Sequence, residues 1–349
     1  MIRVGLVGCG HIGAAHALAI TELAAAGLVD AGLVAVADRD PARAERFAAR
    51  YGAVAHATPG DLVDAVDVVW ICTWTSGHRA LAELAADRGR AVFCEKPLGT
   101  DLAEAEQVAA ALRAVPHQVG LVLRSAPVFV ELRRRIASGE HGRVLAVAFR
   151  DDQYFPVQGT YRSSWRGEVE HAGGGTLLEH SIHDVDLLRW MLGEPERVNA
   201  TVESRFGHPG IDDVAAVSFR FPGGATAQLT SVWHQVTARE SSRRLEVFCE
   251  DALLWTDDDN LGPLRVERAD GTEVVAGEGP VWTDRLGVPP AHRAALALYS
   301  APTKAFLDGL AGGIPGSPSA DEALAAHRIV AAAYRSAAAG GTPVTAEGA

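Results

Sequence analysis

The chain has 349 residues, too long for one small domain and comfortable for two, and nearly half of them are hydrophobic, so a buried core is available and global disorder is excluded. Lys and Arg number 32 against 44 Asp and Glu, a net charge of −12, which argues against nucleic acid because such partners are held by basic patches facing phosphates. Cys9, Cys72, Cys94 and Cys249 are scattered without a Cys-x-x-Cys pair, and no apolar run approaches membrane-spanning length, so no disulfide framework, structural zinc or membrane partner is expected and a cytoplasmic protein is.

Short apolar runs open the chain at once: Ile2–Val7, Leu33–Ala37, Val66–Ile71, Ala91–Cys94 and Gln118–Leu123. They lack polar alternation, as strands covered on both faces do. Between them Ile12–Gly27, Pro41–Tyr51, Gly77–Arg88 and Asp101–Ala114 carry helical spacing, with Pro41 and Asp101 as helix-start residues. Strand–helix alternation predicts a parallel, doubly wound sheet over residues 1–123. From 124 to 349 the character changes. A helix is predicted over Pro127–Ser138 and a strand over Arg143–Asp151, followed by a loop bearing Tyr154, Tyr161, Arg162 and Trp165. After the triple glycine Gly173–Gly175 a helical pattern runs to about Leu192. Alternating runs at Val198–Phe206, Val214–Phe221, Thr226–His234, Arg244–Cys249 and Leu264–Arg268 predict a mostly antiparallel sheet with one open face. Helices over Pro290–Leu310 and Ala320–Ala338 finish the chain, the last being free to pack back on the first domain. The fold class is α/β, two closely joined domains.

Three motifs carry chemistry. Gly8-Cys9-Gly10-His11-Ile12-Gly13 follows the first strand and opens the first helix. Its glycines allow a tight turn and close approach of backbone to a pyrophosphate, which the helix N-terminus attracts. Asp38 ends the second strand, where a carboxylate can accept both ribose hydroxyls and favour NAD; Arg39 and Arg43 leave NADP open through a 2′-phosphate. Cys94-Glu95-Lys96-Pro97 ends another strand, on the edge where open α/β sheets bind ligands. Lys96 there either holds a substrate hydroxyl or is a surface residue before a turn, and Glu95 reads as a structural or cofactor-positioning partner. In the run from Gly173 to Asp186, the glycines let backbone pass close to a ligand. Glu179, His183 and Asp186 fall on one face of a helix, so that a carboxylate can orient an imidazole for acid–base work. His180 and Asp184 make a second such pair. An ordinary polar helix face is the alternative, and the spacing matches no metal-binding helix motif, so no metal is expected. Thr73, Thr75 and His78 line the cofactor or cap a helix. Tyr154, Tyr161, Arg162, Trp165 and Arg166 bind a sugar or pin a long loop, while Trp233 and His234 enter the pocket from the sheet or, the preferred reading, form a half-buried strand end.

Together these features resemble the glucose–fructose oxidoreductase / inositol dehydrogenase (Gfo/Idh/MocA) family. The resemblance rests on the Gly8–Gly13 motif, Ala37-Asp38-Arg39-Asp40-Pro41, Glu95-Lys96-Pro97, Trp165-Arg166 ahead of the triple glycine, and the helix bearing His183. It implies a Rossmann domain, an open-faced α/β domain whose sheet makes subunit contacts in a homodimer or homotetramer, and a substrate pocket between the domains beside the nicotinamide. It also implies that Lys96 orients a hydroxyl of a sugar or cyclitol, that His183, assisted by Glu179, moves its proton, and that Arg124 and His180 join Tyr154, Tyr161, Trp165 and Arg166 around the substrate. Glu179 stands where the family usually has Asp, and Ser181 where it usually has Gly. The expected function is NAD(P)-dependent hydride transfer. A dinucleotide-dependent sugar sensor and an NAD-dependent glycosidase on the same fold are the alternatives.

Overall fold

The computed structural model describes residues 1–276 and 279–346. The first third alternates strand and helix: β1 (Ile2–Val7), α1 (His11–Ala25), β2 (Ala31–Ala37), α2 (Pro41–Tyr51), β3 (Val54–Ala55), α3 (Pro59–Ala65), β4 (Val68–Ile71), α4 (His78–Asp87), β5 (Ala91–Cys94), α5 (Leu102–Arg113) and β6 (His117–Val119). The six strands form one parallel sheet in the order β3-β2-β1-β4-β5-β6, the doubly wound arrangement. Local chemistry starts the helices. Asp40, Thr58 and Asp101 accept backbone N–H groups of the first turns of α2, α3 and α5, and Pro41 takes the first helical position of α2. The short pieces β3 and α3 escape sequence reading because two and seven residues carry too little periodicity. The strand expected to reach Leu123 stops at Val119, and the chain turns instead into a single 3₁₀ turn at Val122–Ser125.

The next segment holds α6 (Pro127–Ser138), β7 (Val144–Tyr154), α7 (Val169–Ala172), α8 (Ile182–Leu192) and seven further strands: β8 (Arg197–Glu203), β9 (Val214–Arg220), β10 (Thr226–His234), β11 (Ser242–Cys249), β12 (Leu253–Thr256), β13 (Leu264–Arg268) and β14 (Gly271–Val275). Eight strands join in the order β14-β13-β12-β11-β7-β10-β9-β8, and every pairing except β7 with β10 is antiparallel. In β10, Ala227, Leu229, Ser231 and Trp233 are buried while Thr226, Gln228 and Thr230 are exposed, the alternation of a sheet covered on one face. β11 starts two residues before the alternation suggested, which brings Arg243 into the buried face.

The chain ends with α9 (Pro290–Gly312) and α10 (Ala320–Ala338). Residues 1–122 and 279–324 form one compact unit; described residues 123–276 and 325–346 form the other. A single cut after residue 123 is therefore corrected, and the last part of that expected second domain, 347–349, lies outside the described residues. The reason is apolar burial. Ala19 and Leu23 of α1 pack with Leu286, Leu296 and Tyr299, so α9 completes the nucleotide-type unit. Ala320, Ala323 and Leu324 of the first turns of α10 enter the core of that same unit. Helical spacing shows that a helix has an apolar face, not which element covers it. Among the described residues, no helix is long and apolar enough to cross a membrane.

Candidate active site

In the first unit the candidate site gathers at the carboxyl ends of β1, β2, β4 and β5. Gly8 has a φ of +102°, and a Cβ there would lie 2.5 Å from the Cys72 carbonyl oxygen. A Cβ on Gly13 would lie 2.1 Å from the Gly8 carbonyl oxygen, so only glycine lets α1 approach β1 this closely. Gly10 differs: a Cβ on it would meet nothing within 4 Å, and as the N-cap of α1 it supplies no side chain to close the helix end. The first turn, with His11 and Ile12, therefore faces an open cradle of the kind a pyrophosphate fills, and these residues fit a dinucleotide. Asp38 Oδ2 accepts the Cys9 N–H at 2.8 Å and Oδ1 accepts the Asp40 N–H at 2.9 Å, which locks the Gly-rich turn to the end of β2. Arg39 stacks on the Trp74 ring, 3.9 Å from its centroid, and Arg43 lies 3.9 Å from Asp38 Oδ1. The two cations that left NADP open thus already have contacts of their own.

Lys96 follows β5 directly. Its N–H reaches Glu95 Oε2 at 3.3 Å, and the other carboxylate oxygen of Glu95 lies 2.7 Å from Nε2 of the fully buried His16. A Cβ on Gly120 would come within 2.6 Å of that same carboxylate. His16 is a residue that motif reading missed; its signal was a lone polar side chain among Ala17, Ala19 and Ile20 on α1. His78, read as lining the cofactor or as a surface residue, is no surface residue but a buried brace. It is buried, with Nδ1 2.8 Å from the Pro97 carbonyl oxygen and Nε2 3.3 Å from that of Thr73. Burial pushes its pKa down, so the ring is neutral and its single proton belongs on the shorter contact, Nδ1. Thr75 is buried beside it, and half-buried Thr73 donates its hydroxyl to the Trp74 carbonyl oxygen at 3.1 Å.

In the second unit the triple glycine is explained by a neighbour other than a ligand. A Cβ on Gly175 would lie 1.8 Å from the Asp212 carbonyl oxygen, and one on Gly174 2.6 Å from the Tyr334 hydroxyl. Asp212, which sequence reading missed, anchors this segment. Its carboxylate accepts the Gly175 and Leu177 N–H groups at 2.7 and 2.9 Å and the Tyr334 hydroxyl at 2.8 Å, while its carbonyl accepts Thr176 N–H at 2.7 Å. Thr176–His180 then forms a wide π-turn, and α8 starts only after Ser181. The expected single helical face is therefore broken, because a π-turn does not keep the 3.6-residue register.

The side chains on that segment are engaged differently from the expectation. Glu179, 3 % exposed, pairs with Arg166 at 2.8 Å. Asp186 takes Arg124 in a buried bidentate pair at 2.7 and 2.6 Å. His180 and Asp184 belong to one network built on buried Arg243 instead of forming an isolated pair. Arg243 donates to Asp184 at 2.8 Å, to Asp151 at 3.1 Å and to Asp259 at 2.8 Å, and His180 Nε2 lies 3.1 Å from Asp151. Ser181 Oγ is 3.0 Å from Asp151 Oδ2 and 2.6 Å from Ser231 Oγ, which gives the serine a task where a glycine would have none. Burial first, then the neighbouring Asp151 carboxylate, drives the Asp184 carboxyl up to about 7 against the pull of Arg243. His183 occupies the first turn of α8 and is 9 % exposed. In the loop after β7, Tyr154 is buried, accepts the Thr160 N–H at 3.0 Å and packs under Gly159, contacts that pin the loop. Tyr161 and Trp165 are half-buried, with the Arg166 guanidinium 4.6 Å above the Trp165 ring. Trp233 is fully buried in the core, and His234 Nε2 lies 3.4 Å from Asp152.

This geometry agrees with the comparisons to known proteins. Residues 2–121 match the family model of oxidoreductases with an NAD-binding Rossmann fold, and residues 129–254 match the Gfo/Idh/MocA C-terminal domain model. The chain belongs to the Gfo/Idh/MocA oxidoreductase family. It is 32 % identical over 322 residues to inositol 2-dehydrogenase of Rhizobium meliloti (strain 1021), spanning 87 % of this chain and 88 % of the relative. A solved levoglucosan dehydrogenase, in complex with NADH and levoglucosan, superposes with a TM-score of 0.85 at 25 % identity, covering 99 % of this chain and 98 % of that one. An oxidoreductase domain protein from Kribbella flavida shares the fold over the whole of both chains, with a TM-score of 0.88 at 24 % identity. The Gfo/Idh/MocA protein described here is thus an NAD-dependent oxidoreductase with a Rossmann domain and a second, mostly antiparallel α/β domain.

Proposed function

We propose that this family member is a dehydrogenase for a ring hydroxyl of an inositol or related sugar, with NAD as cofactor and with Lys96 and His183 handling the reacting hydroxyl. Bound NAD supplies the hydride-accepting nicotinamide carbon. Gly8, Gly10, Gly13 and the first turn of α1 would hold its pyrophosphate, and Asp38 its ribose. Lys96 Nζ donates to the hydroxyl oxygen and stabilises the negative charge that grows there as its proton leaves. His183 takes that proton in oxidation and returns it in reduction. Its Nδ1 is buried, so Nε2 is the nitrogen that meets the hydroxyl. Glu179 is a positioning residue, acting through Arg166. Four buried thiols suit a cytoplasmic, reducing compartment, and the open face of the second sheet suits a homodimer or homotetramer.

The observation that carries this reading is one chain keeping both the ammonium after β5 and the imidazole in the first turn of α8. A sensor that only binds needs neither. The test is NADH formation over a panel of inositols, aldoses, their phosphates and nucleotide sugars, repeated with His183→Ala and Lys96→Ala. Both substitutions should lower kcat by roughly 10²–10⁴-fold while NAD binding survives. Binding without turnover by the native chain would favour the sensor, and bond cleavage without net NADH the glycosidase.

A further inference from the structure

Two imidazoles of the first unit have no task in the reaction proposed above, and both end on the stretch Glu95-Lys96-Pro97 that follows β5. His16, on α1, is fully buried and packed edge-on by Phe93 of β5, with ring centres 4.9 Å apart, and by Tyr299 of α9 at 5.3 Å. Its Nδ1 meets no hydrogen-bond partner among the described residues, so the ring hydrogen belongs on Nε2, which donates to Glu95 Oε1 at 2.7 Å. A buried nitrogen without a partner is a cost that an alkyl side chain beside Ala17, Ala19 and Ile20 would not carry. What the imidazole adds at this position is one N–H aimed at Glu95. The carboxylate is confined on a second side, since a Cβ on Gly120 would lie 2.6 Å from that same oxygen. Its other oxygen takes the Lys96 N–H at 3.3 Å. The far side of Lys96 is held in the same manner. His78, on α4, donates from Nδ1 to the Pro97 carbonyl oxygen at 2.8 Å, and its Nε2 lies 3.3 Å from the Thr73 carbonyl oxygen. Sheet bonding reaches Glu95, whose N–H donates to the Ile71 carbonyl oxygen at 3.0 Å, and the strand itself ends at Cys94.

We infer that His16 and His78 are positioning residues for Lys96, His16 acting through the Glu95 carboxylate and His78 through the Pro97 carbonyl. The inference rests on the role proposed above for Lys96 and deepens it. A lysine carries its charge on a flexible four-carbon stem, so an ammonium group that must meet one oxygen needs a stem that starts from a fixed point. Beyond the end of β5 that fixed point comes from side chains: one helix grips the residue before Lys96 and another the residue after it. Misplacement of a reacting group by 1 Å can cost about 10²-fold in rate, so the two bonds matter to turnover although neither histidine touches the reacting hydroxyl.

The sequence has two lysines, Lys96 and Lys304, and Lys304 pairs with Asp308 one turn along α9, so amine chemistry reads Lys96 against an internal reference. The full chain is acetylated with limiting N-hydroxysuccinimidyl acetate, and the two lysine peptides are quantified by mass spectrometry. His16→Leu and His78→Leu should each free the stretch and raise the ratio of Lys96 to Lys304 labelling about threefold or more. His16→Gln and His78→Asn place an amide N–H near the original donor and should keep the ratio within about twofold of the native chain. Turnover is the second readout. His16→Leu should lower kcat by about 10²-fold with KM for NAD changed less than about threefold, and in a Lys96→Ala background it should cost less than about twofold more, because the group it positions is gone. If His16→Leu does not fold, Glu95→Gln, which keeps the shape of the link and loses one acceptor, takes its place with the same expectations. Labelling that follows this pattern in a chain with no turnover would sink the dehydrogenase reading and leave the positioning role standing. An unchanged ratio in either leucine variant, a glutamine or asparagine variant as altered as the leucine one, or an undiminished loss in the Lys96→Ala background would overturn the inference.

Discussion

Replacing Asp184 with asparagine should make the chain more stable at neutral pH than the native protein and no more stable in mild acid. Asp184 is wholly buried, shares a hydrogen bond with Asp151 and accepts Arg243 Nε at 2.8 Å. Its carboxyl is raised from the ordinary 3.8 to about 7, chiefly by burial. Between those values the native chain holds a proton that the unfolded chain has released. Stability is therefore fully present below the unfolded value and is lost as pH rises through the folded one. The slope is about 1.4 kcal/mol per pH unit at most, and the whole loss is about 4 kcal/mol as an upper bound, reduced by coupling to Asp151 and His180. Asparagine mimics the protonated acid: its carbonyl still accepts from Arg243 and its amide can donate to Asp151. The assay is urea unfolding of both chains at half-unit steps from pH 5 to 8. Their difference in unfolding free energy should widen toward pH 7 in favour of Asp184→Asn, moving the midpoints apart by about 1 M urea. A difference that stays constant with pH, or widens in favour of the native chain, would refute the reasoning.

Other outcomes follow from the same structure. Asp38→Ala should raise KM for NAD by about tenfold or more and weaken NAD more than NADP, since the carboxylate proposed to hold the ribose also holds the Cys9 and Asp40 N–H groups; a native chain that prefers NADP in titration would contradict it. Asp212→Ala removes the acceptor of two backbone N–H groups and the Tyr334 hydroxyl, and at about 1–3 kcal/mol for each of these three buried groups left without a partner it should cost about 3–9 kcal/mol. Calorimetry showing an unchanged melting transition would count against the anchor role. The outward face of the eight-stranded sheet exposes Phe248 and half-exposes Ala146, Ala148 and Trp255 among polar neighbours, so light scattering at micromolar concentration should give a dimer or tetramer mass, and a monomer would argue otherwise.

Much of this protein was legible in one dimension. The parallel sheet could be read because β1, β4 and β5 are continuous apolar runs separated by capped amphipathic helices, and both features depend on neighbours in sequence. The Gly8–Gly13 turn, Asp38 and Glu95-Lys96-Pro97 were legible for the same reason: a strand end, a turn and a helix start form one short segment. Tertiary structure alone decided which carboxylate each cation takes. Arg166 finds Glu179, Arg124 finds Asp186, and Arg243 draws together Asp151, Asp184 and Asp259 across sequence separations that no helical or strand period encodes. It also decided the π-turn, set by Asp212 gripping Gly175 and Leu177 from a distant strand junction, and so broke the one-face alignment that a regular helix would have given Glu179, His183 and Asp186. Even Gly175, which reads in sequence as room for a ligand, is glycine because the Asp212 carbonyl oxygen lies where its Cβ would be. Periodicity reports what a residue's own element requires; pairing, capping and burial of charge depend on what the fold brings beside it.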